Sequence, residues 1–403
     1  MKKKAALRQM FKDSTVALIY GSAGTGKSTL INHISHFFSK NSKLYLANTN
    51  PAVDNLKRRV NASNCTFMTS TKFLKKQYIQ TEYDLLIIDE CSTVNNRDMK
   101  QILEKAKFEL LILVGDIYQI EAIQFGNWFS AIRSFLPKTS VFELIKPYRS
   151  NSQELIELWK RVRSMDETIL ELITRQGYSV SLDASIFNPA ETDEIILCLN
   201  YDGLYGINNI NRFLQEANPI PAVPWGIQFY KVGDPILFNE SERFAPLIYN
   251  NMKGWIAAIV VLSDQIQFDI ELDKAINGLE ARGYEFELLG NSQNGNSVIR
   301  FIVNKYRSAD EDDDASSSAV VPFQVAYAVS IHKAQGLEYN SVKIVITDEI
   351  DELITHNIFY TAITRARDKL KIYWTPEVEK KVLSAIKPRN SAKDVAILRA
   401  NLK

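Results

Sequence analysis

Residues 21–28 read Gly-Ser-Ala-Gly-Thr-Gly-Lys-Ser, the full pattern G-x-x-x-x-G-K-[ST]. The apolar run 16–20 precedes it. A helical pattern follows, with Leu30, Ile31, Ile34, Phe37 and Phe38 on one face. This strand–loop–helix context is what the motif requires. Small residues let backbone N–H groups curl around phosphate oxygens, and the helix N-terminus adds positive potential. In such a loop Lys27 reaches the β- and γ-phosphates and Ser28 holds Mg²⁺. The chain is therefore expected to bind a nucleoside triphosphate, and the fold is constrained to a parallel sheet that opens on this loop.

A chain of 403 residues is expected to form two to three domains. Hydrophobic content of 46% and charged content of 24% are those of a globular protein. The net charge of +1 gives no global basic field, so any nucleic-acid site must be local. Cys65, Cys91 and Cys198 lack CxxC spacing and suggest reduced thiols in a cytoplasmic protein. His33 and His36 share a helix face, but the four histidines form no metal set. The start, Met1-Lys-Lys-Lys, is interrupted by Arg8, Gln9, Lys12 and Asp13 before any apolar signal region. No window approaches a transmembrane span, so no membrane association is expected.

Apolar strands alternate with helical patterns in the first third, at 16–20, 44–47, 85–89 and 110–115. Such alternation implies a parallel sheet covered by helices. Residues 152–176 look helical, with Leu155, Ile156, Leu158, Trp159 and Val162 spaced for one face. A second α/β set appears at 195–199, 342–347 and 370–374, interrupted by an insert at roughly 228–310. The insert has short β-type runs at 235–238, 255–262, 267–270 and 298–303, with turn signals at Gly233-Asp234, Gly254 and Asn294-Gly295. The run Asp310-Glu-Asp-Asp-Asp314, followed by Ser316-Ser-Ser318, reads as a solvated loop.

Leu85-Leu-Ile-Ile-Asp-Glu-Cys-Ser92 is an apolar strand ending in two carboxylates. Downstream of a phosphate loop, Asp89 can bind Mg²⁺ and Glu90 can polarise an attacking water. Leu111-Ile-Leu-Val-Gly-Asp-Ile-Tyr-Gln-Ile120 is another strand with a polar end, where Gln119 is placed to sense the γ-phosphate. Phe125 and Trp128 follow, as either a stacking face for bases or core packing.

The ordered set of motifs resembles superfamily 1 helicases. The phosphate loop is followed by Ala47-Asn-Thr-Asn-Pro-Ala-Val-Asp-Asn-Leu56, Asp89-Glu-Cys-Ser92 and Gly115-Asp-Ile-Tyr-Gln119. Then come Pro147-Tyr-Arg-Ser150, Ser330-Ile-His-Lys-Ala-Gln-Gly-Leu-Glu338 and Tyr360-Thr-Ala-Ile-Thr-Arg-Ala-Arg367. The His-Lys-Ala-Gln-Gly form is similar to the RecD-like branch. This resemblance implies an α/β fold with two RecA-like parallel-sheet domains. It implies a small β-rich, SH3-like insert in the second, resting on Lys231-Val-Gly-Asp-Pro-Ile-Leu-Phe238 and Tyr249-Asn-Asn-Met-Lys-Gly-Trp255. The domain boundaries expected are 1–145, 146–227, 228–317 and 318–403.

The resemblance also assigns roles. Gly21, Gly24, Thr25, Gly26, Lys27, Ser28 and Thr29 bind phosphates and metal, with Asp89 and Glu90 the metal and water-activating pair. Gln119 is the γ-phosphate sensor and Tyr148 stacks on adenine. Arg149 and Arg365 are arginine fingers from the second domain, suited by planar guanidinium groups to charge spread over a transferring phosphoryl group. Gly336 and Glu338 reach the γ-phosphate and ribose. Thr49, Asn50, Thr71, Phe125, Ser330 and His332 contact nucleic acid without reading sequence.

Two departures stand out. The upstream glutamine that reads adenine in this family has no convincing match, since Gln9 lies too near the phosphate loop. Lys75-Lys-Gln-Tyr-Ile-Gln-Thr-Glu-Tyr83 allows only a stub where relatives place a strand-separating hairpin. The expected activity is an ATP- and Mg²⁺-dependent motor on single-stranded nucleic acid, DNA before RNA, moving 5′ to 3′. The alternative is a nucleic-acid-gated ATPase switch. An effector or nuclease partner, or a further N-terminal region, would complete either.

Overall fold

The computed structural model describes residues 14–22, 24–76, 80–120, 128–188, 193–239, 242–245, 247–305, 319–348, 354–386, 395–396 and 400. The chain divides into two compact units. One comprises Met1–Ser181, Gln335–Ser341 and Asp351–Lys403, and the other Leu182–Ala334 and Val342–Ile350.

The first unit opens with six parallel strands: β1 (Val16–Gly21), β2 (Lys43–Ala47), β3 (Cys65–Thr69), β4 (Glu82–Ile88), β5 (Lys107–Gly115) and β6 (Val141–Leu144). Their order is β3-β2-β4-β5-β1-β6. The central strands are apolar runs because helices cover both faces. Successive side chains point to opposite faces. Ile19, Tyr45, Ile87 and Val114 therefore join one core with Ile31, Ile34 and Leu56. Leu18, Leu46, Ile88 and Leu113 join the other with Phe73, Ile102 and Phe129.

Among the described residues, five α-helices connect these strands: α1 (Lys27–Phe37), α2 (Asn50–Arg59), α3 (Ser70–Lys75), α4 (Asn96–Lys105) and α5 (Trp128–Ile132). The sequence reading found four of the six strands. It missed β3 and β6, the short edge strands, whose half-exposed residues break the apolar run. At the end of α3, the Lys105 ammonium donates to the carbonyls of Phe73 and Leu74 at 2.7 and 3.0 Å. β4 starts at Glu82, so 76–81 links the two elements, and 77–79 of that link lie outside the described residues.

The stretch 152–176, expected to be helical, forms two helices, α6 (Gln153–Ser164) and α7 (Ile169–Arg175). The break has a local cause. Met165 takes a left-handed conformation with φ 55°, which ends α6 by a C-cap. Asp166 then accepts from the Thr168 N–H at 2.8 Å. β7 (Ser179–Ser181) follows.

The second unit contains β8 (Glu194–Cys198) and α8 (Ile207–Ala217), then the insert. The hairpin β9 (Val223–Trp225) and β10 (Gln228–Tyr230) leads into β11 (Pro235–Phe238), β12 (Lys253–Val261), β13 (Gln265–Leu272), β14 (Glu287–Asn291), β15 (Ser297–Asn304) and β16 (Phe323–Val325). The last six form an antiparallel sheet in the order β14-β15-β13-β12-β11-β16. β16, which the sequence reading did not mark, pairs with β11 and completes that sheet. The core is aromatic: Phe244, Phe268, Phe301 and Phe323 are buried together, with Phe268 edge-on to Phe323 at 5.0 Å. At the turn into β12, Asn251 holds φ 67°, the left-handed conformation that asparagine tolerates better than most residues. β17 (Ala328–Ser330) pairs in parallel with β8.

Asp234 fastens the base of the insert. It is fully buried. Its carboxylate accepts from Gln215 Nε2, Asn218 Nδ2, the Lys231 N–H and Tyr327 Oη, at 2.6, 2.8, 3.1 and 2.9 Å. Removing it would take an acceptor from four donors, of which the Gln215 and Asn218 amides keep a backbone carbonyl each. Asp234→Ala is expected to destabilise the protein by about 3 kcal/mol. The reading is the urea midpoint, and an unchanged midpoint would contradict this role.

β18 (Tyr339–Val345) is followed in the first unit by α9 (His356–Ile363), β19 (Ala366–Trp374) and α10 (Pro376–Ala385). β19 pairs in parallel with β7. All eight residues of α9 except Asn357 are buried, so little of this helix faces solvent. Thr355 caps its N-terminus.

Candidate active site

The phosphate loop joins β1 to α1, and its glycines are needed for their backbone. Gly24 and Gly26 have φ 72° and 84°. A Cβ on Gly24 would lie 2.2 Å from the Arg149 Cβ, so the Arg149 backbone lies directly against the loop. The Tyr148 N–H donates to the Gly24 carbonyl at 2.7 Å. The Thr25 hydroxyl donates to the Ser22 carbonyl at 2.8 Å and braces the turn. Lys27 and Ser28 open α1, half-buried, and Thr29 is exposed.

Lys27 Nζ donates to the carbonyls of Gly21 and Ser22 at 2.8 and 3.0 Å. Burial holds its pKa below the usual lysine value, opposed most by Asp116 and then Asp89. Asp89 and Asp116 end the buried strands β4 and β5 and are 8% and 3% exposed. Burial raises both carboxyl pKa values, and Lys27 is the main opposing charge for each. Glu90 is pushed up to about 7, by burial first and by Asp89 second, while Arg365, Lys27 and Arg149 pull it down. Glu90 holds φ 52°, a strained conformation for a non-glycine residue. Such outliers occur where geometry is fixed by function. A carboxylate with a pKa near neutrality suits proton transfer at pH 7.

The later motifs in this unit meet the same site. A Cβ on Gly336 would lie 3.7 Å from Glu90 Oε1, and Gly336 itself has φ 82°. Glu338 forms an ion pair with Arg149 at 2.9 Å and a second with Arg367. Burial alone would raise the Glu338 pKa, but Arg149 and Arg367 outweigh it and hold it below the usual value. Arg149 Nη1 also donates to the Thr364 carbonyl at 3.1 Å. Arg365 is 2% exposed. Its guanidinium donates to the carbonyls of Thr361 and Leu337 at 2.9 and 3.0 Å and to the Thr364 hydroxyl at 3.2 Å. Burial lowers its pKa to about 10, with Arg149 adding to the effect and Glu90 opposing it. At pH 7 it remains charged.

Lys27, Asp89, Glu90, Arg149, Arg365, Gly336 and Glu338 thus share one charged site. Gln119 lies in the turn after β5, where its N–H donates to the Asp116 carbonyl at 3.4 Å. Tyr148 is 69% exposed beside the loop, with the Lys146 ammonium 5.5 Å from its ring centre. An exposed ring there is free to stack on a base. The sequence reading missed Asp116 and Arg367. The signal for Asp116 was present, because it ends a buried strand as Asp89 does. Arg367 carried no comparable signal.

The expected nucleic-acid residues are spread. Thr49 and Thr71 follow β2 and β3, which run parallel with Ala47 opposite Thr69, so both lie at one sheet edge. The Thr49 hydroxyl caps α2 by accepting from the Ala52 N–H at 3.4 Å, and Asn50 is the first helical residue. Ser330 and His332 belong to the second unit. Ser330 Oγ accepts from the Lys333 N–H at 3.2 Å. Phe125 lies outside the described residues. Trp128 packs on the core, with its indole donating to the Val94 carbonyl at 2.7 Å.

Comparison with known proteins extends this picture. Residues 2–181 match the AAA domain family and residues 325–373 match the UvrD-like helicase C-terminal domain family. The ATP-dependent DNA helicase Pif1 of Campylobacter jejuni is 24% identical over 418 residues, covering 89% of this chain and 88% of that protein. A RecBCD enzyme subunit RecD of Buchnera aphidicola is 23% identical over 429 residues, covering 87% and 64%. An uncharacterised Methanocaldococcus jannaschii protein is 23% identical over 443 residues, and the chain spans 37% of its length. Among solved structures, Bacteroides Pif1 with ADP-AlF3 and single-stranded DNA superposes with TM-score 0.58 at 17% identity, over 99% of this chain and 97% of that one. Candida albicans Pif1 gives the same score and identity over 100% and 98%. The fold is accordingly that of two RecA-like parallel-sheet domains, and the chain is similar over most of its length to superfamily 1 helicases of the RecD/Pif1-like group.

Proposed function

We propose that this chain is an ATP-hydrolysing DNA helicase whose core action is 5′-to-3′ translocation on single-stranded DNA. The observation that carries this reading is the pairing of Lys27 and the Asp89–Glu90 carboxylates with the half-buried guanidinium of Arg149 and the buried one of Arg365 around one phosphate loop. The direction of travel rests on the RecD-like resemblance. The relatives named as DNA helicases, and the neighbour solved with single-stranded DNA, support DNA as the track.

The residues fit a magnesium ion brought in with the nucleotide. Asp89 and Asp116 are buried beside Lys27, and burial raises the pKa of each, while Glu90 is raised by burial and then by Asp89. A divalent cation would favour the charged carboxylates there. Among the described residues, no three acidic, histidine or cysteine side chains form a metal cage. Magnesium needs none, because it binds through one or two protein oxygens together with substrate phosphates. Ser28 and Asp89 would hold it, and when bound it would neutralise charge on the phosphates.

The chain's own groups then divide the work. The loop amides and Lys27 orient the triphosphate, helped by the N-terminus of α1. Glu90 accepts a proton from the attacking water. Gln119 reads the γ-phosphate, and Arg149 and Arg365 stabilise the charge that develops on it. Tyr148 offers its ring to the base, and Glu338 sets Arg149. Thr49, Asn50, Thr71, Ser330 and His332 hold the DNA backbone. The parts are proposed to be a first RecA-like domain to 145, a second in 146–227 and 318–403, and the β-rich module in 228–317. The short 76–81 link supports a reduced separating pin. The free thiols of Cys65, Cys91 and Cys198, and the lack of any described helix long and apolar enough to cross a membrane, support a cytoplasmic setting. The experiment that tests this reading is ATP-driven displacement of a protein block from a single-stranded DNA tail. A nucleic-acid-gated switch would hydrolyse ATP and leave the block in place.

A further inference from the structure

Both ends of the turn that carries Gln119 are tethered to consecutive residues of α9. At one end, Asp116 Oδ2 accepts from Tyr360 Oη at 3.4 Å, and Oδ1 closes the turn by accepting from the Tyr118 N–H at 3.1 Å. At the other, the Ile120 N–H donates to Thr361 Oγ1 at 3.1 Å. Residues 360 and 361 project about 100° apart around a helix. Two such anchors fix the rotation of α9 about its axis as well as its distance from the turn.

The same helix end holds both arginines. The Thr361 carbonyl accepts from Arg365 Nε at 2.9 Å, and the Thr364 carbonyl accepts from Arg149 Nη1 at 3.1 Å. Thr361 therefore touches the Gln119 turn through its hydroxyl and Arg365 through its backbone. The residue is fully buried. Valine would fill the same volume without an unneeded polar atom, so the hydroxyl is accounted for by the Ile120 N–H it satisfies. Aromatic groups back the contact: Tyr118 lies edge-on to Tyr360 at 6.3 Å, with the Arg163 guanidinium 4.9 Å from the Tyr118 ring centre.

We propose that Thr361, assisted by Tyr360, is a positioning residue that couples the γ-phosphate-sensing turn at Gln119 to the placement of Arg365. The inference rests on the nucleotide-site reading given above. A displacement of Gln119 by phosphate is passed through two hydrogen bonds to one helix, and the end of that helix is hydrogen-bonded to both guanidiniums.

The test is steady-state ATP turnover by the full chain with single-stranded DNA, for wild type, Thr361→Val, Thr361→Ser, Gln119→Ala and the Gln119→Ala/Thr361→Val double variant. Thr361→Val is expected to lower kcat about tenfold with KM for ATP within about twofold, because it acts on transition-state placement and not on ground-state binding. Thr361→Ser keeps the hydroxyl and is expected to restore turnover. In the double variant, Thr361→Val should add little to Gln119→Ala, as expected of residues acting as one unit. Tyr360→Phe, which removes only a hydroxyl, should lower kcat in the same direction and serves if Thr361→Val does not fold. Wild-type kcat in Thr361→Val or in Tyr360→Phe, equal damage from serine and valine, or effects that multiply with Gln119→Ala would overturn the coupling. Absence of ATP turnover in the wild type would instead overturn the nucleotide-site reading beneath it.

Discussion

Lys27→Ala is expected to abolish ATP hydrolysis, by about 10³-fold or more, without loss of the folded state. The catalytic expectation follows from position. The ammonium lies at the phosphate loop and is the main positive charge facing Asp89 and Asp116. Preorganised charge in a water-poor site is worth orders of magnitude in rate. The stability expectation follows from the direction of its pKa. Burial holds the Lys27 pKa below the ordinary lysine value, so folding disfavours the charged form despite the neighbouring carboxylates. Removing the charge therefore removes a cost along with two hydrogen bonds to loop carbonyls. Turnover by release of phosphate, and the melting curve, are the two readings. Near-wild-type turnover would mean that the loop is not the working site.

Arg365→Ala is expected to lower turnover by about 10³-fold or more while leaving single-strand binding in the absence of nucleotide largely intact. The guanidinium is fully enclosed and still charged at neutral pH, and it lies within electrostatic reach of Glu90. Its three hydrogen bonds to the Thr361 carbonyl, the Leu337 carbonyl and the Thr364 hydroxyl fix its plane. Arg365→Lys isolates that geometry, because it keeps a positive charge and gives up the planar fork. Lysine is expected to rescue little of the rate. Unchanged hydrolysis in either variant would remove Arg365 from the reaction. Restored hydrolysis in the lysine variant alone would leave charge as its whole contribution.

What was legible in the sequence follows from how local each signal is. The phosphate loop, the strand before it and the helix after it lie within some twenty residues, and their periodicities are direct consequences of burial. The carboxylates Asp89 and Glu90 were visible because a fully buried strand ends on them. The helix break at Met165 was not legible, since nothing in the apolar spacing of 152–176 marks a residue that must turn left-handed. The edge strands β3 and β6 were hidden for the opposite reason, being half-exposed and short. The Glu338–Arg149 ion pair and the hydrogen bond from the Ile120 N–H to Thr361 join residues some 190 to 240 positions apart in the chain. No periodicity records such contacts. Only the resemblance to a motif set indicated that these segments meet at all, and it assigned no role to Thr361 or Asp116.

Movement along DNA driven by this site is tested on one tailed substrate. A tight protein block is placed on a 5′-to-3′ single-stranded DNA tail that adjoins a duplex, and two rates are followed after ATP is added. The chain is expected to strip the block in an ATP-dependent manner, the Lys27→Ala variant is expected to leave it in place, and duplex opening is expected to be the slower of the two. Each base-pair step resists opening with about 1.4 kcal/mol of stacking on average, and the short 76–81 link gives little wedge against it. ATP hydrolysis stimulated by the tail with the block left in place would contradict such movement and leave a nucleic-acid-gated switch.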